Sequence, residues 1–234
     1  MKHLLGFVLW LMLCAAGTAC ADAPGGIRAT YDIYKAGIRI GQIEEVYRRE
    51  KDRYTLISTT GATGLFSLFR PGKIIVRSSG LIDDRGLKPQ ISSAEHEGEA
   101  QDNRSAELDW NAKKLTLIHQ AQRTVVALPE GTQDRLSAMY QFMFLPLQSP
   151  MLSFQMINGG YLLNFDFAVS PGPLLKTPAG EFATIYLDNR AQGAKERTEL
   201  WLATQYHNLP CKMIVTDAGG GKITQILRKL EISP

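Results

Sequence analysis

The sequence predicts a mainly β protein, an antiparallel curved sheet forming a half-barrel or barrel of roughly a dozen strands with one plugging helix. Three observations predict it. Apolar residues recur with a period of two along most of the chain, which is the signature of strands with one buried face. Short clusters holding Asn, Asp or Gly divide these runs, as hairpin turns require. One stretch alone carries a clear helical spacing, and it is bounded by Pro and Gly.

The elements follow in order. Residues 43–47 and 54–59 alternate on either side of Arg49-Glu50-Lys51-Asp52. Residues 74–82 and 87–94 flank Asp83-Asp84-Arg85-Gly86, and 108–110 and 115–118 flank Asn111-Ala112-Lys113-Lys114. The clearest strand is 161–169, where Tyr161, Leu163, Phe165, Phe167 and Val169 share one face and Asn164 and Asp166 the other. Residues 213–216 and 223–230 close the chain as a hairpin around Asp217-Ala218-Gly219-Gly220-Gly221. The helix is predicted from Thr132 to about Leu145. Thr132 would cap it and Asp134 would suit its first turn. Leu136, Met139, Tyr140 and Met143 recur at helical spacing, and Pro146 stops the run. A second short helix is predicted over 65–69.

The N-terminus predicts export. Lys2 and His3 are followed by the apolar run 4–16 and by Ala19-Cys20-Ala21, an A-x-A cleavage site. The apolar run is shorter than the roughly 20 residues of a membrane span. Residues 1–21 are therefore expected to be a signal peptide, and 22–234 one β-rich periplasmic domain without a transmembrane span. Two alternatives are a retained anchor helix and a lipoprotein anchored through Cys20, whose preceding Gly17-Thr18-Ala19 lacks the usual leucine. Cys211 is the one cysteine beyond the leader, so no internal disulfide is expected. The formal net charge is +3 with no long basic or acidic block, which gives no reason to expect nucleic acid as a partner.

Five segments, in this order, resemble a known family. They are Tyr31-Asp32-Ile33-Tyr34 with the glycine-flanked Ile38-Arg39-Ile40; Thr60-Gly61 through Gly64-Leu65-Phe66-Ser67-Leu68-Phe69-Arg70-Pro71-Gly72; and Gly131-Thr132-Gln133-Asp134-Arg135-Leu136-Ser137. Thr177-Pro178-Ala179-Gly180-Glu181-Phe182 and Thr198-Glu199-Leu200-Trp201-Leu202-Ala203, with Leu209-Pro210 after it, complete the series. Together they resemble the bacterial envelope family catalogued as domain of unknown function 3108, over about 31–230. The resemblance implies an envelope protein of Gram-negative bacteria with an antiparallel β fold and no settled role. It supplies no catalytic residues to carry over. Its members are similar in architecture to periplasmic lipoprotein carriers, which are curved sheets with a helical plug over an apolar cavity; that similarity is one of fold, which does not determine function.

The residues select no reaction. Glu95-His96-Glu97-Gly98-Glu99 would place its acids on one strand face and His96 on the other, without the converging second His that a metal site wants. It reads as an acidic sheet edge. No Gly-x-Ser-x-Gly occurs, Pro210 separates His207 from Cys211, and Gly219-Gly220-Gly221 lacks the Lys-Ser/Thr of a phosphate loop. No catalytic residue, metal ligand or cofactor is expected, and the protein is read as not an enzyme. A hydrolase built from distant carboxylates has no motif in its favour.

The informative feature is apolar. Leu65, Phe66, Leu68 and Phe69 crowd a glycine-bounded connection, and Phe142, Met143 and Phe144 end the helix. Methionine and phenylalanine make adaptable apolar surface, so these seven are the candidate ligand-binding residues. They fit either plain core or the mouth of a site for an acyl chain. The expected function is a non-enzymatic binding or carrier module for a hydrophobic ligand, lipid or lipoprotein. The alternative is an envelope protein-protein interaction or assembly factor.

Overall fold

The computed structural model describes residues 23–64, 67, 72–158, 160–189 and 196–234. The expected signal peptide, 1–21, lies outside the described residues. The first arm of the fold is a meander of β1 (Gly26–Lys35), β2 (Ile38–Glu50), β3 (Arg53–Ala62), β4 (Ile74–Asp83) and β5 (Gly86–His96). It continues through β6 (Arg104–Asp109), β7 (Lys114–His119) and β8 (Gln122–Ala127). A short β9 (Gln133–Asp134) leads into helix α1 (Arg135–Gln141) and a 3-10 turn, Phe142–Phe144. The second arm holds β10 (Met151–Asn158), β11 (Tyr161–Pro171), β14 (Thr184–Asn189), β15 (Arg197–Ala203), β16 (Leu209–Thr216) and β17 (Lys222–Ser233). A separate hairpin, β12 (Leu175–Thr177) and β13 (Gly180–Phe182), sits between β11 and β14.

The two arms form one curved sheet because the ends of the chain pair. β1 runs antiparallel to both β2 and β17, giving a fifteen-stranded order from β8 at one edge to β9 at the other. The expected antiparallel curved sheet with a plugging helix is what forms. It has more strands than the dozen expected, because β8 is exposed at all six residues and β9 has only two. Neither shows the alternation by which a strand is recognised.

Alternation assigns the faces. Tyr31 and Ile33 on β1, Ile43 and Tyr47 on β2, and Tyr54 and Leu56 on β3 all point into one buried cluster with Leu136 and Tyr140 of α1. A second cluster joins Phe142 to Phe167, Leu187, Leu200 and Leu202 on the second arm. The third lies elsewhere. Ala106, Leu108 and Leu115, on the inner face of β6 and β7, pack on Ile157 and Leu162. Those two point away from the interior, since Phe154 and Met156 on β10 and Phe165 and Phe167 on β11 face inward. The two ends of the sheet therefore overlap. No hydrogen-bond ladder links β8 to β9 among the described residues; side chains close the seam instead.

The helix is shorter than predicted and capped by a different residue. Asp134 is the N-cap, accepting from the backbone N–H of Leu136 and Ser137 at 2.9 Å each, while its own N–H donates to the Ser137 hydroxyl. Thr132, the expected cap, donates its hydroxyl to the Pro129 carbonyl instead. The helix is locked to the first arm by Gln141. Its amide oxygen accepts from the Leu87 N–H at 2.7 Å and its amide nitrogen donates to the Arg85 carbonyl at 2.7 Å. This requires Gly86, at φ +104°, because a Cβ there would stand 2.5 Å from the Gln141 amide oxygen and 2.7 Å from the Phe144 Cβ.

Candidate functional site

The inner face of the sheet does not fill completely. Beyond α1 it encloses a cavity of about 310 Å³. Leu136 and Met139 of α1 form part of its floor. One wall is Ile43, Glu45, Ser58, Thr60, Ile74 and Val76 on β2 to β4; the facing wall is Phe154, Met156, Phe165, Phe167, Met213 and Val215 on the second arm. Wide curved sheets leave such interior volume, whereas small barrels are filled by their own side chains. The lining is mostly apolar, with Arg135, Glu45 and Glu196 as its charged members.

Glu45 is the unusual one. It stands on β2 between Ile43 and Tyr47, both buried, so alternation forces a carboxyl onto the inner face. The Tyr140 hydroxyl donates to one of its oxygens at 3.0 Å and the Ser58 hydroxyl to the other at 3.2 Å. Tyr140 is held in place by stacking on Tyr47, ring centroids 5.6 Å apart. On its far side Glu45 lines a small cavity of about 20 Å³, shared with Tyr31, Lys212 and Gln225. Burial pushes the Glu45 carboxyl from its ordinary 4.5 up to about 7, against the two donated hydrogen bonds that pull it down.

That shift has a sign that can be tested. The fold holds the proton at pH values where the unfolded chain has released it. The favourable contribution is complete below about pH 4.5 and is lost as pH rises through 7. Glu45→Gln keeps the shape and cannot ionise. It is expected to gain about 2 kcal/mol over the parent at pH 8 and nothing at pH 4, by urea unfolding. The gain stays below the full linkage equivalent because the carboxyl lines an open cavity. A difference independent of pH would contradict the assignment.

The residues expected from sequence fall in two groups. Leu65, Phe66, Leu68 and Phe69 lie outside the described residues. Phe142, Met143 and Phe144 do not line it. Phe142 is fully buried and meets Phe154 and Phe167 edge-on, at centroid distances of 6.4 and 6.5 Å. It thus supports two lining rings from behind. Met143 and Phe144 pack on the first-arm core. Glu45, Ser58, Arg135, Met139 and Met213 line the cavity and are not among the ligand-binding candidates expected from sequence. The acid between two buried residues of an alternating strand was the available signal for Glu45.

Several other titratable groups are used by the fold. Arg77 pairs with Glu95 at 2.8 Å on neighbouring strands. Asp32, 1% exposed, lies between Arg39 at 2.8 Å and Arg228 at 2.9 Å. Cys211 is buried and donates to the Trp201 carbonyl, and burial pushes its thiol up to about 12. The thiolate that nucleophilic chemistry needs is therefore scarce at neutral pH. Among the described residues no three His, Cys, Asp or Glu side chains converge as a metal site. No described helix is long and apolar enough to cross a membrane.

Comparison with known proteins places this chain in a family. The model of the family described as protein of unknown function (DUF3108) matches residues 30–228. No curated protein matches the chain. Among solved structures, a β-barrel-like protein of domain of unknown function DUF1849 from Brucella abortus is similar over 90% of this chain and 98% of its own, at 12% identity and a TM-score of 0.54. A candidate exported protein with a YmcC-like fold from Bacteroides fragilis aligns over 89% of this chain and 96% of its own, at 12% identity and a TM-score of 0.30. A candidate lipoprotein from Parabacteroides distasonis aligns over 89% and 97%, at 11% identity and 0.33. The Brucella likeness is one of fold alone.

Proposed function

The chain belongs to the DUF3108 family, described as of unknown function, and from the geometry of its cavity we propose that it is a non-enzymatic binding or carrier module for a hydrophobic ligand in the cell envelope. The observation that carries the reading is the 310 Å³ cavity, walled by Phe, Met, Ile and Val side chains on both arms and floored by α1. That volume is at the lower end of the roughly 300–1,000 Å³ of small-molecule sites. The lining is also adaptable, because Met139, Met156 and Met213 can repack around a flexible chain. The apolar N-terminal stretch ending in Ala19-Cys20-Ala21 supports export to the periplasm.

The test is to fill the cavity. Val76 lines it on β4, and Val76→Trp would place an indole where a ligand chain would lie. With dodecan-1-ol as the probe, titration calorimetry is expected to show affinity reduced at least about tenfold, with a melting temperature within about 3 °C of the parent. Undiminished binding in this variant would sink the reading.

A second reading, an envelope interaction or assembly factor, draws on β8. All six of its residues are exposed, and its outer edge has no partner strand among the described residues. A defined partner crosslinked from a cysteine at position 124, together with failure to bind the alcohol, would favour it.

A further inference from the structure

We infer that the cavity takes a single-chain amphiphile with an anionic head group, and that the Arg135 guanidinium holds that head; the inference rests on the ligand-binding reading above. Arg135 is exposed and lines the cavity. Its position follows from its neighbours. Asp134 accepts from the Ser78 hydroxyl of β4, and Gln133 pairs with Met156 of β10. Arg135, the first residue of α1, therefore stands between β4 of the first arm and β10 of the second.

The guanidinium has no carboxylate within ion-pair distance among the described residues. By contrast Arg39, Arg77, Arg85, Arg123, Arg197 and Arg228 each meet an Asp or Glu. The other charged lining groups leave it without a counter-charge. Glu45 is engaged by Tyr140 and Ser58, and Glu196 is exposed just before β15. A planar guanidinium bonds carboxylate or phosphate oxygens in pairs. A cation beside the apolar residues of the lining matches a molecule with an anionic end and a hydrocarbon end. Met139, Met156, Phe165 and Met213 offer the tail its contact surface. The cavity's modest volume selects one chain over two or three.

The experiment titrates the purified protein with dodecanoate, dodecyl phosphate and dodecan-1-ol at pH 6, where Glu45, titrating near 7, is mostly uncharged. The parent is expected to bind at least one anion about tenfold more tightly than the alcohol. Arg135→Gln is expected to erase that advantage while the alcohol binds as before; Arg135→Lys keeps part of it. The exposed position makes both variants compatible with the fold, which circular dichroism checks. Alcohol binding with no preference for either anion, or a preference that survives in R135Q, overturns the inference and leaves the ligand-binding reading standing. Failure of all three probes overturns both. A preference for dodecanoate points to a free fatty acid as the source of the chemistry, and one for dodecyl phosphate to a phospholipid derivative.

Discussion

Phe142→Ala is expected to destabilise the protein by about 4 kcal/mol, a larger loss than any other single change considered. The ring is fully buried and contacts two aromatic side chains from different strands, Phe154 on β10 and Phe167 on β11. It belongs to the cluster that also contains Leu187, Leu200 and Leu202. Truncation removes the transfer term and leaves a hole that a rolled sheet cannot collapse to fill. Urea unfolding measures it as a lower midpoint with an unchanged slope. The same variant separates two roles for this residue. Because Phe142 sits behind the lining and not on it, dodecan-1-ol should still bind the folded fraction. Lost binding with intact stability would instead make Phe142 a ligand contact.

Asp134→Ala is expected to cost about 3 kcal/mol. The carboxylate is 3% exposed and serves three donors: the Leu136 and Ser137 backbone N–H groups and the Ser78 hydroxyl, which in turn accepts from the Tyr54 hydroxyl. Alanine uncaps α1 and leaves the Ser78–Tyr54 chain short of its terminal acceptor inside the core. Burial raises the Asp134 carboxyl above its ordinary range, so the group is costly to ionise even with its donors in place. An asparagine amide in its place would keep an acceptor for the two N–H groups and donate to Ser78, whose hydroxyl can reverse direction. Asp134→Asn should accordingly cost about 1 kcal/mol. Equal losses in the two variants would mean that the carboxyl's packing, and not its hydrogen bonds, carries the effect.

How much of this was legible in the sequence depends on whether a local pattern or a long-range coincidence sets the feature. Alternation along 161–169 identified β11 and its inner face correctly, since period two follows from strand geometry alone. The same pattern did not foretell where Tyr161 and Leu163 end up: both are exposed, near the β10–β11 turn. The overlap of the sheet's ends was hidden because its contacts, Ile157 and Leu162 against Leu108 and Leu115, join strands far apart in sequence. On their own strands those two residues look like stray apolar side chains facing outward. The helix was recognisable by spacing, but Thr132 and Asp134 are both good caps by residue type. What decided between them was the Pro129 carbonyl and the Ser137 hydroxyl, a matter of local hydrogen-bond geometry.

The candidate site divides in the same way. Phe142, Met143 and Phe144 stood out because aromatic and sulfur-containing residues cluster in sequence, yet the lining draws single residues from many strands. Glu45 is legible in principle as an acid on a buried strand face. Its partners Ser58 and Tyr140 come from β3 and α1 and could be joined to it only by the fold. Arg135 sits inside one of the segments by which the chain resembled its family, but its lack of a counter-charge is visible only once its surroundings are assembled.

The most direct test of the central claim is the native mass of the protein exported to and purified from a bacterial periplasm, followed by organic extraction. Occupation of the cavity predicts a discrete added mass that extracts as a single-chain lipid and is absent from Val76→Trp. A bare polypeptide mass, unchanged after incubation with dodecan-1-ol and with vesicles of phosphatidylethanolamine and phosphatidylglycerol, would contradict it.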